Sequence, residues 1–296
     1  MIWILVIIAV LVFALYLYIR FFKKPKLKNI VFVDGSLGTG KTFLSVSLAV
    51  RQYKSNLRKY KIKKLLLSLL SKINKKYQER LSRLEEPLLY SNIKLRNVPF
   101  VVVTKDLLCR DNFRFAKSSV LLLDEFSLIA DQMMFKDAKL NERLSEFFKL
   151  FRHEVGKDCL IVINSQSTSD LHYSLKYVLS DFFYIHSKVK FPFFNFLRVE
   201  EVSYSADRGV SLVTTNDGDI ENNIKFLGVS TKYFKRYDSY CYSIFTDSLP
   251  VYKKVVKYDK DDSLKADRLV SFKDLEILYR NMKKEEVNKD EQKSNI

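Results

Sequence analysis

Eight consecutive residues, Gly35 to Thr42, read GSLGTGKT and match the pattern GxxxxGK[ST]. Each residue type in that order has a chemical reason. Glycines let a backbone wrap a phosphate with its N–H groups turned inward, so Gly35, Ser36, Leu37, Gly38, Thr39 and Gly40 are expected to form the cradle. A helix that begins where the loop ends adds the positive end of its dipole. Lys41 is then placed to reach β- and γ-phosphates, and the Thr42 hydroxyl to ligate Mg²⁺, so the expected cofactors are ATP and Mg²⁺. The whole chain holds seven glycines and three of them fall in this loop, which argues against a chance match.

A second constellation follows. Ser118 to Asp124 (SSVLLLD) is an apolar run that ends in the acidic pair Asp124-Glu125. Such a strand end would set Asp124 beside Mg²⁺ and Glu125 beside an attacking water as general base. The plain alternative is a core strand capped by solvated acids. A third run, Asp158 to Gln166 (DCLIVINSQ), ends in Gln166, which would orient water or sense the γ-phosphate, or stand idle in a loop. Before it, Leu144 to His153 (LSEFFKLFRH) has helical periodicity, with Arg152 near its end. Arg152 is open to two readings: a cap on that helix's C-terminal dipole, or an arginine finger reaching a neighbour's ATP.

These residues need elements to hold them. Lys28 to Val33 (KNIVFV) reads as a buried strand leading into the loop, and Phe43 to Arg51 as the start of a helix. Leu88 to Asn92 and Pro99 to Val103 read as further strands. The alternation implies an α/β fold: a P-loop NTPase with a mostly parallel sheet flanked by helices, over 28–190.

The motifs resemble the Zot (zonula occludens toxin) family, the assembly ATPases of filamentous phages. The resemblance covers roughly Asn29 to His186 and rests on GSLGTGKT, on LLLDEF at Leu121 to Phe126, and on FFKLFRHEVGKDCLIVINSQ at Phe147 to Gln166. It implies a ring-forming motor of the broader FtsK/HerA-like group. In that group the Walker lysine, the Walker B acids and a strand-end glutamine carry the nucleotide chemistry, here Lys41, Asp124, Glu125 and Gln166. The name implies no toxin activity, because that is attached to a region outside the resemblance. Filamentous-phage relatives place their membrane span after the ATPase domain. Here the apolar run comes first, so their topology is not carried over.

Met1 to Ile19 has no charged side chain, and Arg20, Lys23, Lys24, Lys26 and Lys28 follow it. That run is about long enough to cross a hydrocarbon core of ~30 Å. The basic flank predicts a single-pass anchor over 1–22 in a bacterial host cell membrane, with the rest cytoplasmic. A cleaved signal peptide fits less well, because no basic n-region and no small-x-small site is present. Arg51 to Arg83 is rich in Lys and Arg around Leu65, Leu66, Leu67, Leu69, Leu70 and Ile73, and predicts a basic helical insert over 51–86 that stops at Glu85-Glu86-Pro87. It would lie on anionic lipid, grip DNA phosphate, or show an ordinary solvated face.

From Phe191 the pattern alternates, as in Leu197 to Tyr204 and Val210 to Thr215 with a turn at Asp217-Gly218, and predicts a small β-rich appendage over 191–280. Tyr233 to Phe245 (YFKRYDSYCYSIF) would stack bases or form a packed aromatic edge. Residues 281–296 are charged and expected to be disordered. The net charge of +17 requires an anionic partner. Three cysteines outside any CxxC spacing exclude a disulfide framework, and the three histidines show no zinc-ligand spacing.

The expected function is a membrane-anchored, ring-forming ATPase that powers filamentous-phage assembly or export, with single-stranded DNA and phage coat or export proteins as partners. A DNA translocase of the FtsK/HerA type for conjugation or segregation, a membrane-tethered P-loop kinase and a non-catalytic adaptor are the competing readings.

Overall fold

Alternation within short apolar strands builds the centre of the molecule. In β1 (Ile30–Gly35), Ile30 and Phe32 join the core on one face of the sheet, and Val31 and Val33 join the core on the other. β4 (Val120–Leu123) and β5 (Leu160–Asn164) divide in the same way: Leu121, Leu123, Ile161 and Ile163 to the first face, Val120, Leu122, Leu160 and Val162 to the second. Strands buried on both faces suit a parallel sheet covered by helices. The computed structural model describes residues 2–22, 25, 27–103, 108, 115–126, 138–156, 158–165, 179–203, 224–237, 254–258 and 264–269.

With β2 (Leu89–Ser91), β3 (Phe100–Val102) and β6 (Asp181–Lys190), these strands form a parallel block in the order β3-β2-β4-β5-β1-β6. β5 lies between β1 and β4, and that placement governs the site. The block continues antiparallel at both edges. β7 (Phe194–Ser203) and β8 (Ile224–Ser230) add beyond β6, and β9 (Lys254–Tyr258) and β10 (Leu264–Leu269) add beyond β3. The whole sheet is therefore mixed: the strands within 28–190 pair in parallel as expected, and the later strands add antiparallel to them. The strands of the region read as a β-rich appendage hydrogen-bond into the same sheet.

Among the described residues, two helices cover the faces. α2 (Lys41–Leu70) packs Phe43, Leu44, Val46, Leu48, Val50 and Tyr53 over one; after the short α3 (Lys75–Ser82), α4 (Ala138–Val155) packs Leu144, Phe148, Phe151 and Val155 over the other. The apolar spacing in α4 puts these side chains on one stripe, and Phe148 meets Phe126 edge-on at 5.8 Å. α2 runs back against the strand direction. At Asn56 it reaches the N-terminal edge of the sheet, where Asn56 Nδ2 donates to the carbonyls of Ser118 (2.7 Å) and Asp158 (2.8 Å). Fourteen more residues continue to Leu70, about 21 Å at helical rise. The basic insert is thus the continuation of the helix that starts at the glycine loop, turned back through α3. Asn74 caps α3 by accepting from Lys76 N–H at 2.9 Å.

α1 spans Ile2–Phe22, 21 residues. Its side chains are described in part, and Trp3, Ile4, Ile7, Ile8, Leu11 and Phe13 are all exposed. Among the described residues no helix is long and apolar enough to cross a membrane. Gln166, the turn at Asp217-Gly218, the run Val210 to Thr215, Asp238 to Phe245 and the charged tail lie outside the described residues, as do Lys23, Lys24 and Lys26.

Candidate functional site

The loop from Gly35 to Gly40 joins the end of β1 to the start of α2, and its shape depends on two glycines. At Gly35 a Cβ would sit 2.7 Å from the carbonyl oxygen of Ile185 and 2.9 Å from Thr39 Oγ1, so the loop can press against β6 only without a side chain. Gly40, the N-cap of α2, has φ +104°, a left-handed conformation that L side chains rarely adopt. Between them Ser36 O accepts from Thr39 N–H (3.3 Å) and Thr39 Oγ1–H (2.7 Å), which closes the turn. Ser36, Leu37 and Gly38 face solvent.

Lys41 opens α2 and is buried, with Nζ donating to the carbonyls of Gly35 at 2.7 Å and Ser36 at 3.5 Å. An ammonium and a helix N-terminus therefore converge on the concave side of the loop, an arrangement suited to an anion. Thr42 follows one residue on, and its Oγ1 donates to Asp124 Oδ2 at 3.2 Å across 82 residues of sequence. β4 delivers Asp124, and the interposed β5 delivers the group that holds it.

That group is Asn164, the last residue of β5, which the sequence reading passed over in favour of Gln166. Its Nδ2 donates to Asp124 Oδ1 and to Ser45 Oγ (3.3 Å), and its Oδ1 accepts from the Glu125 N–H at 2.8 Å. Asn92 clamps the same strand end from the other side. Its Oδ1 accepts from Asp124 N–H at 2.7 Å, and its Nδ2 donates to Asp124 O at 2.6 Å. Both asparagines are fully buried. Their signal in the sequence was faint: a polar amide at the end of an apolar run, INS at Ile163 to Ser165 and YSN at Tyr90 to Asn92.

Glu125 has φ +47°. A left-handed backbone costs a non-glycine residue about 1–2 kcal/mol. The buried bond to Asn164, worth about 1 kcal/mol, offsets much of it and fixes where the side chain starts. Burial pushes the Asp124 carboxyl from 3.8 up to about 6, against the hydrogen bonds from Asn164 and Thr42, while Glu125 adds to the rise and Lys41 opposes it. Tyr237 lies close enough to feel that charge: burial first, and the Asp124 carboxylate second, raise its hydroxyl well above the ordinary tyrosine range.

Lys41, Thr42, Asp124 and Glu125 thus meet at the C-terminal ends of β1 and β4. Arg152 does not join them. Its backbone lies in the last turn of α4, and Val155 O, at the end of that helix, accepts from Ser118 N–H at 2.8 Å, at the opposite edge of the sheet. In the aromatic run Tyr233 is buried and Phe234 stacks on Phe43 of α2 at 3.9 Å between centroids, so this part forms a packed edge. Among the described residues no group of three or more His, Cys, Asp or Glu could hold a metal by itself. A divalent cation here would have Thr42 and Asp124 as its protein ligands.

The family model for Zonular occludens toxin (Zot) matches residues 29–242, most of the chain. Among solved structures, the chain is similar to the N-terminal domain of zonular occludens toxin from Neisseria meningitidis at 14% identity and TM-score 0.41, over 72% of this chain and 100% of that one. It is also similar to the genome packaging NTPase B204 from Sulfolobus turreted icosahedral virus 2, solved in complex with ATP-gammaS, at 10% identity and TM-score 0.27, over 82% and 98%. No curated protein matches the chain.

Proposed function

The chain belongs to the Zot family, and on that premise we propose that it is a membrane-anchored ATPase whose hydrolysis drives assembly and export of a filamentous phage. The observation that carries the chemistry is the 3.2 Å approach of Thr42 Oγ1 to Asp124 Oδ2 beside the buried Lys41 ammonium. A hydroxyl and a carboxylate are hard oxygen ligands of the kind Mg²⁺ takes alongside water and phosphate oxygens, so the donor set fits. Bound there, Mg²⁺ would neutralise charge on the β- and γ-phosphates.

The chain's own residues do the rest. The loop's N–H groups and the N-terminus of α2 hold phosphate oxygens, and Lys41 turns from the Gly35 and Ser36 carbonyls to the β- and γ-phosphates. Glu125, its backbone fixed by Asn164, accepts the proton of the attacking water. Gln166 follows Asn164 by two residues and is proposed to orient that water. The exposed apolar surface of α1 and the uncharged run Met1 to Ile19 support a single-pass anchor. The proposed partners are single-stranded DNA, phage coat or export proteins, and further copies of the chain in a ring.

Purified full-length chain should hydrolyse ATP only with Mg²⁺. Lys41→Ala should lose nucleotide binding. Glu125→Gln should bind ATP normally yet hydrolyse it at least ~100-fold more slowly, the scale of a lost general base. Hydrolysis by Glu125→Gln at the parent rate would show that Glu125 is not the base. Stimulation by the coat protein is expected. Stimulation by DNA without any coat-protein dependence would favour a translocase of the FtsK/HerA type instead, and transfer of the γ-phosphoryl group to a small molecule would favour a kinase.

A further inference from the structure

The distal half of α2 carries a surface that the nucleotide site does not use. Past Asn56, which ties the helix to the edge of the sheet, Ile62, Leu65, Leu66, Leu69, Leu70 and Ile73 are all exposed, Ile62 and Leu65 at 61% and 62% and Ile73 at 82%. Their spacing of i, i+3, i+4, i+7, i+8 and i+11 lays them in one stripe along the helix and its closing turn. Leu67, outside the stripe, is buried, and it lines a cavity of about 520 Å³ with Arg80, Arg83 and Leu84. Lys61, Lys63 and Lys72 are exposed on the flanks of the stripe. From Arg51 to Arg83 there are twelve lysines and arginines against one acidic residue, Glu79.

We infer that this stripe lies on an anionic lipid surface, with its leucines at the acyl boundary and the flanking lysines on headgroup phosphates. The inference rests on the anchored reading above and extends it. Two other occupants satisfy half of the chemistry each. Nucleic acid would take the cations and leave the leucines in water. A second copy would cover the leucines and bring a like charge of the same size against the first. An anionic bilayer takes both, because lysine stems lie along apolar surface while their ammonium groups reach phosphate.

Chain connectivity agrees. Phe22, the end of α1, lies eight residues before Ile30, a reach of at most about 29 Å. Ile30 begins β1 at the N-terminal edge of the sheet, the same edge that α2 passes at Asn56, beside the carbonyls that lead into β4 and β5. The chain from α1, which lies against β8, therefore enters the sheet at the end that the basic hairpin passes, and the glycine loop lies at the other.

The test uses the full chain with Leu66→Trp in a Trp3→Phe background, which makes residue 66 the sole tryptophan. It is reconstituted into phosphatidylcholine vesicles with or without phosphatidylserine and with or without dibrominated acyl chains. Flotation reads the anchor, and tryptophan emission reads the stripe. The expected result is flotation on both compositions, with a blue shift and bromine quenching only when phosphatidylserine is present. Adding Leu65→Glu and Leu69→Glu should abolish the shift and leave flotation intact. A chain that floats while its emission ignores phosphatidylserine overturns the inference and leaves the anchor standing. A chain that does not float overturns the anchor and the inference together. A blue shift produced in detergent by single-stranded DNA, or by raising protein concentration, assigns the stripe to nucleic acid or to a second copy and overturns the inference.

Discussion

Asp124 is buried where its negative charge is disfavoured, and this has a pH signature. Its pKa rises from 3.8 to about 6 on folding, so the folded chain holds that proton more tightly than the unfolded chain. This contribution to stability is complete below pH ~4 and is lost as pH rises through ~6, amounting to about 3 kcal/mol for a shift of roughly two units. The prediction is that, in chelator, the parent's unfolding free energy drops between pH 5 and pH 8 relative to that of Asp124→Asn, which carries no titrating group there. Parallel pH profiles would mean that the carboxyl is solvated. Divalent cation should reverse the penalty at pH 8 in the parent and leave the Asn variant unchanged. At this scale the loop and the acidic pair were legible because each is written in consecutive residues. Asn164 and Asn92 were not, since their partners lie 40 and 32 residues away and meet only because β2 and β5 both flank β4. The sequence pointed to the polar end of β5 and singled out Gln166, which lies outside the described residues, without marking Asn164 two residues before it.

Among the elements, α4 decides how Arg152 acts. Its apolar stripe of Leu144, Phe148, Phe151 and Val155 fixes the helix against the sheet, and the bond from Ser118 N–H to Val155 O fixes which end it finishes at. That end is away from Lys41 and Thr42, so the backbone of Arg152 lies apart from the glycine loop of its own chain. Its placement favours the role of a cation in the last turn of a helix. Arg152→Ala is then expected to lose about 1 kcal/mol or less of stability, to keep near-parental ATPase, and to give with Lys41→Ala no more activity than the sum of the two. A loss of about 10³-fold, with activity restored on mixing, would mean that a neighbour in a ring brings its glycine loop to this edge. Apolar runs bounded by polar residues made the parallel strands readable. The antiparallel edges were less so: alternation marked Leu197 to Tyr204 as a strand, but nothing local says that its partners are β6 and β8 of the main sheet.

For the molecule as a whole, the sheet has a glycine-loop end and an entry end. Glycine loop, Asp124 and Asn164 sit at the C-terminal ends of the strands, while the chain from α1 enters β1 at the other. Among the described residues, the two core clusters are built from the sheet, α2, α4 and the segments that join them, while α1 lies against the edge strand β8. The charges around α1 are lopsided: none in Met1 to Ile19, then Arg20, Lys23, Lys24, Lys26 and Lys28. Basic residues beside an apolar helix stay on the cytoplasmic side, so a reporter fused at the C-terminus should be active in the cytoplasm. Alkaline carbonate should leave the full chain in the membrane pellet, because an inserted helix is held by burial of its apolar surface and not by charge. Deleting residues 2–22 should move the protein to the carbonate supernatant with nucleotide affinity unchanged, since Lys41, Thr42 and the Glu125 backbone are held by Gly35, Asp124 and Asn164. Any lipid contact through α2 should survive that deletion only as binding that salt weakens, because lysines facing headgroups are screened where an inserted helix is not. Full-length chain in the carbonate wash would remove the anchor, and the apolar surface of α1 would then need a protein partner to cover it.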